Sequence, residues 1–183
     1  MKKRTVINIL LILVVLAFFV TPLGDESKIL LNKLFASTPE IAKPQKRQKI
    51  SGYDWKLKDE DWKVFNFKQS EGRVVFVNFW ASWRIPSVAE LEAVQKLYDD
   101  YGDKVDFYII TNEKKEPVEK LMEKRGYTFP VTYLIIGEEM PFDPEKVPSG
   151  YIVDKEGNIA ASQEGVGDWD SREIRQLLDT LTK

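Results

Sequence analysis

The chain has no cysteine and no histidine among its 183 residues. Without cysteine it forms no disulfide in any compartment, carries no thiolate nucleophile and offers no site for bacterial lipoprotein acylation. Without histidine it lacks the usual general base and the commonest metal ligand, which excludes most hydrolase and zinc chemistries. There is little excess charge of either sign: the net charge is −2. Lys2, Lys3 and Arg4 precede the first apolar run; with those three set aside, 24 basic residues face 29 acidic ones, a balance of −5. A mildly acidic body has no general electrostatic footprint for nucleic acid, so no nucleic-acid partner is expected. Also missing are a P-loop, a G-x-S-x-G elbow and a G-x-G-x-x-G fingerprint, Gly165-Val166-Gly167 being a two-glycine loop. The acidic clusters at 59–61, 99–100 and 138–139 do not match the spacing of a calcium loop and read as solvated turns and helix ends. No metal and no cofactor is expected.

Against these absences stands one long hydrophobic run. Residues 6–23 carry no charge over 18 positions, which as a helix spans roughly 27 Å, close to the ~30 Å hydrocarbon core of a bilayer. The competing reading is a cleaved signal peptide, but no A-x-A-like cleavage site follows the run. The basic cluster ahead of it places the N-terminus inside and the rest of the chain outside. The expected organisation is a basic cytoplasmic stub (1–5), a transmembrane signal-anchor (6–23), a juxtamembrane segment and linker (24–50) and a soluble domain (51–183). This puts the protein in the cytoplasmic (inner) membrane as a single-pass chain, its domain on the periplasmic or extracytoplasmic side. Two readings of 29–35 stand equal: an amphipathic helix on the membrane surface, or a continuation of the anchor. Residues 37–49 (STPEIAKPQKRQK) read as a polar, solvated tether.

Within the domain, 53–57 and 62–67 suggest a hairpin around Asp59-Glu60-Asp61. The run 73–80 is nearly all apolar and β-branched, as for a strand covered on both faces. Residues 86–101 show apolar positions at spacings of three and four up to Gly102, which predicts a helix. A second buried strand (105–111), a short helix (116–125) closed by Gly126, a weaker strand (131–136), a hairpin (151–154 with 158–162) and a last helix follow. That helix opens on Asp170 with Glu173 three residues on, the pattern of a capping box. The alternation predicts an α/β fold with a mixed sheet, parallel at its centre and antiparallel at one side.

The segment Val77-Asn78-Phe79-Trp80-Ala81-Ser82-Trp83 resembles the strand-to-helix junction of thioredoxin-like proteins, most of all the membrane-anchored TlpA/ResA branch, where it is followed by C-x-P-C. Here Arg84-Ile85-Pro86-Ser87 follows: the proline is kept and both cysteine positions are replaced. The run from Val147-Pro148-Ser149 to Asp154 and Gly157 is similar to that family's cis-proline loop, strand and D-x-x-G turn, and residues 165–171 resemble the loop before its last helix. The resemblance implies a thioredoxin-like fold, a central mixed β-sheet flanked by helices with an N-terminal hairpin extension. It also implies a cis bond at Pro148 and a carboxylate, Glu90, where the branch often carries one that assists proton transfer.

The family's thiol–disulfide exchange does not carry over. Arg84 is permanently protonated, and nothing nearby in sequence activates Ser87. No catalytic residue is expected. Arg84, at a helix N-terminus, is expected to extend into solvent, and Glu90 to be an ordinary helix glutamate. Trp83, Arg84, Ile85, Pro86, Ser87, Val147 and Pro148 form the candidate groove for a protein or peptide partner. The leading reading is a redox-inactive, membrane-anchored binding module of the cell envelope. The alternative is a thiol–disulfide oxidoreductase family member acting as accessory to a cysteine-bearing paralogue, or one whose cysteines have been exchanged by mutation. The oligomeric state is left open.

Overall fold

The computed structural model describes residues 3–20 and 22–183, with side-chain environments for 3–16 and 24–183. An eight-stranded mixed sheet runs in the order β1-β8-β7-β4-β5-β6-β2-β3. Its strands are β1 (Glu40–Ile41), β2 (Lys56–Lys58), β3 (Val64–Asn66), β4 (Val75–Phe79), β5 (Asp106–Thr111), β6 (Val131–Leu134), β7 (Ser149–Val153) and β8 (Ile159–Glu164). The helices are α1 (Lys3–Val20), α2 (Pro22–Leu34), α3 (Ile85–Tyr101), α4 (Lys115–Arg125) and α5 (Arg172–Leu181).

β4 explains the layering. Every residue of its VFVNF sequence is buried, and side chains alternate across a strand with period two. Phe76 therefore joins the cluster beneath α3, α4 and α5, with Leu91, Val94, Val118, Ile174 and Leu178. Val75, Val77 and Phe79 face the other cluster, with Trp55, Phe67, Phe142 and Tyr151. The second face is covered by the hairpin extension and the irregular stretch after β6, not by helices. β4 pairs parallel with β5 and antiparallel with β7, and β5 pairs parallel with β6. The expected parallel centre and antiparallel side are both present, as are the β2–β3 and β7–β8 hairpins. Gly126 ends α4 in the left-handed conformation (φ 68°), its N–H reaching the carbonyls of Met122 and Glu123.

Two local expectations are corrected. The 37–49 segment is not a solvated tether: β1 pairs with β8, and Ser37 and Lys49 bridge to Gly167 and Asn158. Arg47 donates to Asp154 at 2.9 Å, with side-chain exposures of 13% and 4%. A charged, proline-containing stretch looks like a linker because its partners lie more than a hundred residues away.

Residues 29–34 belong to α2, and one side of that helix packs on the domain. Ile29, 7% exposed, packs on Val88 and Ala89 of α3, with Ile85, Leu121 and Val166 around it. Lys33 pairs with Glu92, and Arg125 makes a two-pronged bond to Glu26 at 3.0 and 2.6 Å.

The second correction is the capping box at Asp170, which is absent. α5 begins one residue after Ser171, whose hydroxyl makes no capping bond, and Asp170 instead accepts from Arg175 Nε at 2.7 Å. A guanidinium on the same turn outcompetes the backbone amide because its bond is charge-assisted on both sides.

The expected span 6–23 falls partly on 17–23, whose side chains lie outside the described residues. Among the described residues no helix is long and apolar enough to cross a membrane. α1 nevertheless exposes ten large apolar side chains between Val6 and Leu16.

Candidate functional site: the β4–α3 junction

At the end of β4 the chain turns through 80–84 into α3. Trp80 N–H donates to the Ile110 carbonyl at 2.9 Å, continuing the ladder one residue past the strand. The loop is then held by a residue from the far side of β5. Glu113 accepts from the Ser82 backbone N–H and hydroxyl, both at 2.6 Å, and from Thr111 Oγ1 at 3.1 Å. Sequence reasoning missed Glu113. It sits in an unremarkable β–α loop, and only the parallel pairing of β4 with β5 brings it to Ser82.

Arg84 is the N-cap residue of α3, in extended conformation with no side-chain capping bond, and the proline of the motif lies in the first turn. There a proline loses no helical hydrogen bond. The expectation that Arg84 extends freely into solvent is corrected: it is half-buried, and its Nε is enclosed without a partner among the described residues. It lines a cleft of about 290 Å³ with Trp83, Thr111, Met140, Pro144 and Val147. The Val147–Pro148 bond is cis, as the resemblance implies.

The structure therefore divides the seven groove candidates. Trp83, 71% exposed, stands at the mouth beside Arg84 and Val147. Ile85 packs against the small cluster of Ile29, Val88 and Ala89 between α2 and α3. Ser87 is fully buried and its hydroxyl has no partner among the described residues. Pro148 is buried too, whereas Pro86 is half-buried, and neither lines the cleft. Met140 and Pro144, from the proline-rich stretch after β6, complete the rim, and no periodic pattern in that stretch singled them out.

Beneath the junction lies a second group. Asn78 shares the helix-facing side of β4 with Phe76, and Glu90 is one turn into α3. Glu90 is 1% exposed, which corrects the reading of an ordinary helix glutamate. It accepts from Asn78 Nδ2 at 2.6 Å and from the Gly167 backbone N–H at 2.9 Å. Burial pushes its pKa up to about 8, although the Gly167 and Asn78 donors pull the other way. Two glycines make the room. A Cβ on Gly150, opposite Asn78 in the sheet, would collide with the Trp169 indole, and one on Gly167 would come within 2.7 Å of Trp169 Nε1.

This arrangement places a helix N-terminus, a cis-proline loop and a buried carboxyl around positions 84 and 87. A family model described as the AhpC/TSA family matches residues 51–162. The chain belongs to the AhpC/TSA family. This AhpC/TSA chain is 28% identical over 130 residues to a thioredoxin-like protein, YneN, of Bacillus subtilis, covering 69% of this chain and 75% of that one. It is 27% identical over 133 residues to the thiol-disulfide oxidoreductase ResA of Geobacillus thermodenitrificans, covering 70% and 74%. With ResA of Oceanobacillus iheyensis it shares 28% identity over 163 residues, 86% and 79% of the two chains. Among solved structures, a putative thiol:disulfide interchange protein DsbE from Chlorobium tepidum superposes with a TM-score of 0.62 at 18% identity, over 75% of this chain and 99% of that one. At that identity the likeness shows the thioredoxin-like fold. This AhpC/TSA chain is thus a cysteine-less relative of thiol–disulfide oxidoreductases, with Arg84 and Ser87 at the two positions where the C-x-P-C pattern has cysteine.

Proposed function

We propose that the protein is a membrane-anchored, extracytoplasmic thioredoxin-like module that has given up thiol–disulfide exchange and binds an extended protein or peptide segment across the Trp83–Val147 cleft. The observation that carries this reading is the pairing of a chain without cysteine with an open cleft at the same junction, rimmed by Trp83, Met140 and Val147. An exposed tryptophan beside apolar rim residues offers a rigid anchor with a polar tip, a common feature of binding surfaces. Extracytoplasmic placement and anchoring rest on the basic cluster at 2–4 and on the apolar side chains that α1 exposes.

The test is a photoreactive aromatic amino acid at position 83 in native membranes, with a control at Arg172 on α5. A discrete adduct from position 83 alone is expected, and mass spectrometry then names the partner. Absence of adducts from both positions overturns the binding reading. In parallel, the protein should reduce insulin no faster than background; a clear rate sinks the claim of redox silence.

A further inference from the structure

We infer that α2 is a two-faced strap whose outer side lies in the lipid interface, pressing the helical layer of the domain toward the bilayer; this rests on the reading of α1 as a membrane anchor. The inner face is fixed by three contacts that progress across two helices. Glu26 meets Arg125 at the end of α4, Ile29 packs on Val88 and Ala89 of α3, and Lys33 pairs with Glu92 further along α3. Two further bonds then tie residue 37 to the loop before α5: Ser37 N–H donates to the Val166 carbonyl at 3.2 Å, and Asp168 N–H to the Ser37 carbonyl at 2.9 Å. α2 thus crosses the helical layer and is tied down at both ends, so its opposite side must face outward.

That outward side carries Leu30, Leu31, Leu34 and Phe35, exposed by 59%, 44%, 71% and 83%. Their spacing of one and four residues gathers them into a single stripe. Water is a poor neighbour for four large apolar side chains in a row, and the chain itself nominates what covers them. α2 follows α1 directly in the chain, the described part of α1 reaching Val20 and that of α2 starting at Pro22. The stripe therefore begins about 12 Å along α2 from the end of the anchor, at 1.5 Å per residue. Ten large side chains of α1, from Val6 to Leu16, are exposed all round the helix by 44–61%. Only a hydrocarbon solvent covers a helix on every side, and a helix that follows it directly in the chain shares its boundary. Glu26 and Lys33 are paired with the domain and Asp25 with Lys28 within α2, leaving the stripe of Leu30, Leu31, Leu34 and Phe35 apolar. Because Ile85 also packs around Ile29, the first turn of α3, and with it the cleft at Trp83, sits beside the lipid-facing helix.

The absence of cysteine makes a clean test available. Leu34→Cys, Ile12→Cys and Glu156→Cys, each the only thiol, are labelled with bimane in the full chain and reconstituted in phosphatidylcholine vesicles. Nitroxide-labelled lipids then report depth. The expected result is quenching of about two-fold or more at position 34 by shallow nitroxides, at position 12 by deep ones, and none at position 156. Quenching at 12 without quenching at 34 overturns the strap proposal and leaves the anchor intact. No quenching at either position overturns the anchor reading and the strap with it. Position 34 unquenched by lipid but quenched by a nitroxide at the same site on a second copy assigns the stripe to self-association and also overturns the proposal. Near-UV circular dichroism of each labelled variant shows that the domain remains folded.

Discussion

At the scale of one residue, Ser87 shows what stands at the second cysteine position of the C-x-P-C pattern. Its hydroxyl is buried with no partner among the described residues, an arrangement that costs on the order of 1 kcal/mol or more for a neutral polar group. A thiol, a weaker donor and close in size, suits such a site better. We predict that Arg84→Cys with Ser87→Cys gives a dithiol that cycles and reduces insulin, whereas either single change gives no turnover, since exchange needs an attacking and a resolving sulfur. A silent double variant that still folds would show that more than the two sulfurs has been lost. Glu90 makes the second residue-scale prediction. With an ordinary value of 4.5 raised to about 8 in the fold, it is protonated when folded and ionised when unfolded between those limits. The folded state then binds more protons, so unfolding free energy falls as pH rises through this window. The contribution is complete below the unfolded value and gone above about 8. Glu90→Gln should flatten the slope and, above pH 8, stabilise by on the order of 1 kcal/mol or more. Rotation of the Asn78 amide exchanges its Nδ2 and Oδ1, so the new amide at position 90 regains a partner. Urea unfolding of both proteins from pH 5 to 9 measures this; parallel curves would refute the assignment.

At the scale of elements, the segment before the domain carries more than its composition suggests. Residues 37–50 add β1 to the sheet, place Ile50 in the core and set Arg47 against Asp154. Burial pushes the Asp154 carboxyl up, but the Asn158 donors and Arg47 outweigh it and hold the pKa below its ordinary value. Removing one member of a buried ion pair typically costs ~3–5 kcal/mol. A fragment starting at residue 37 should therefore melt roughly 10 °C above one starting at residue 51. Equal melting temperatures in differential scanning calorimetry would return the segment to the status of a tether. The same elements show what a sequence makes legible. β4 and α3 announce themselves, because burial on two faces and a three-four apolar repeat are local patterns. Gly126 announces the end of α4 for the same reason. The docking of α2 and β1 does not, since Lys33 finds Glu92 and Arg47 finds Asp154 only after the chain has folded back. The capping box at Asp170 is legible and wrong, because a local motif loses to the guanidinium of Arg175.

For the whole molecule, the β4–α3 junction is visible in the string from Val77 to Ser87, while its rim is not. Trp83 and Val147 belong to recognisable segments, but Met140, Pro144 and Glu113 reach the site through loops whose sequence holds no period. The relation of the junction to the rest of the chain turns on α1. If its apolar surface is covered by a bilayer, the protein stays with membranes through alkaline carbonate washing, which strips peripheral proteins but not spanning helices. The chain lacking residues 1–36 should then be soluble and folded, because the sheet, both cores and the cleft all come from later residues. The proposed orientation rests on Lys2, Lys3 and Arg4, since basic residues flanking a span stay on the cytoplasmic side. Protease added to intact spheroplasts is thus expected to digest the domain, whereas the same domain should be protected in inside-out vesicles. Release by carbonate would remove the anchor, and protection in spheroplasts would place the cleft in the cytoplasm, out of reach of any extracytoplasmic partner.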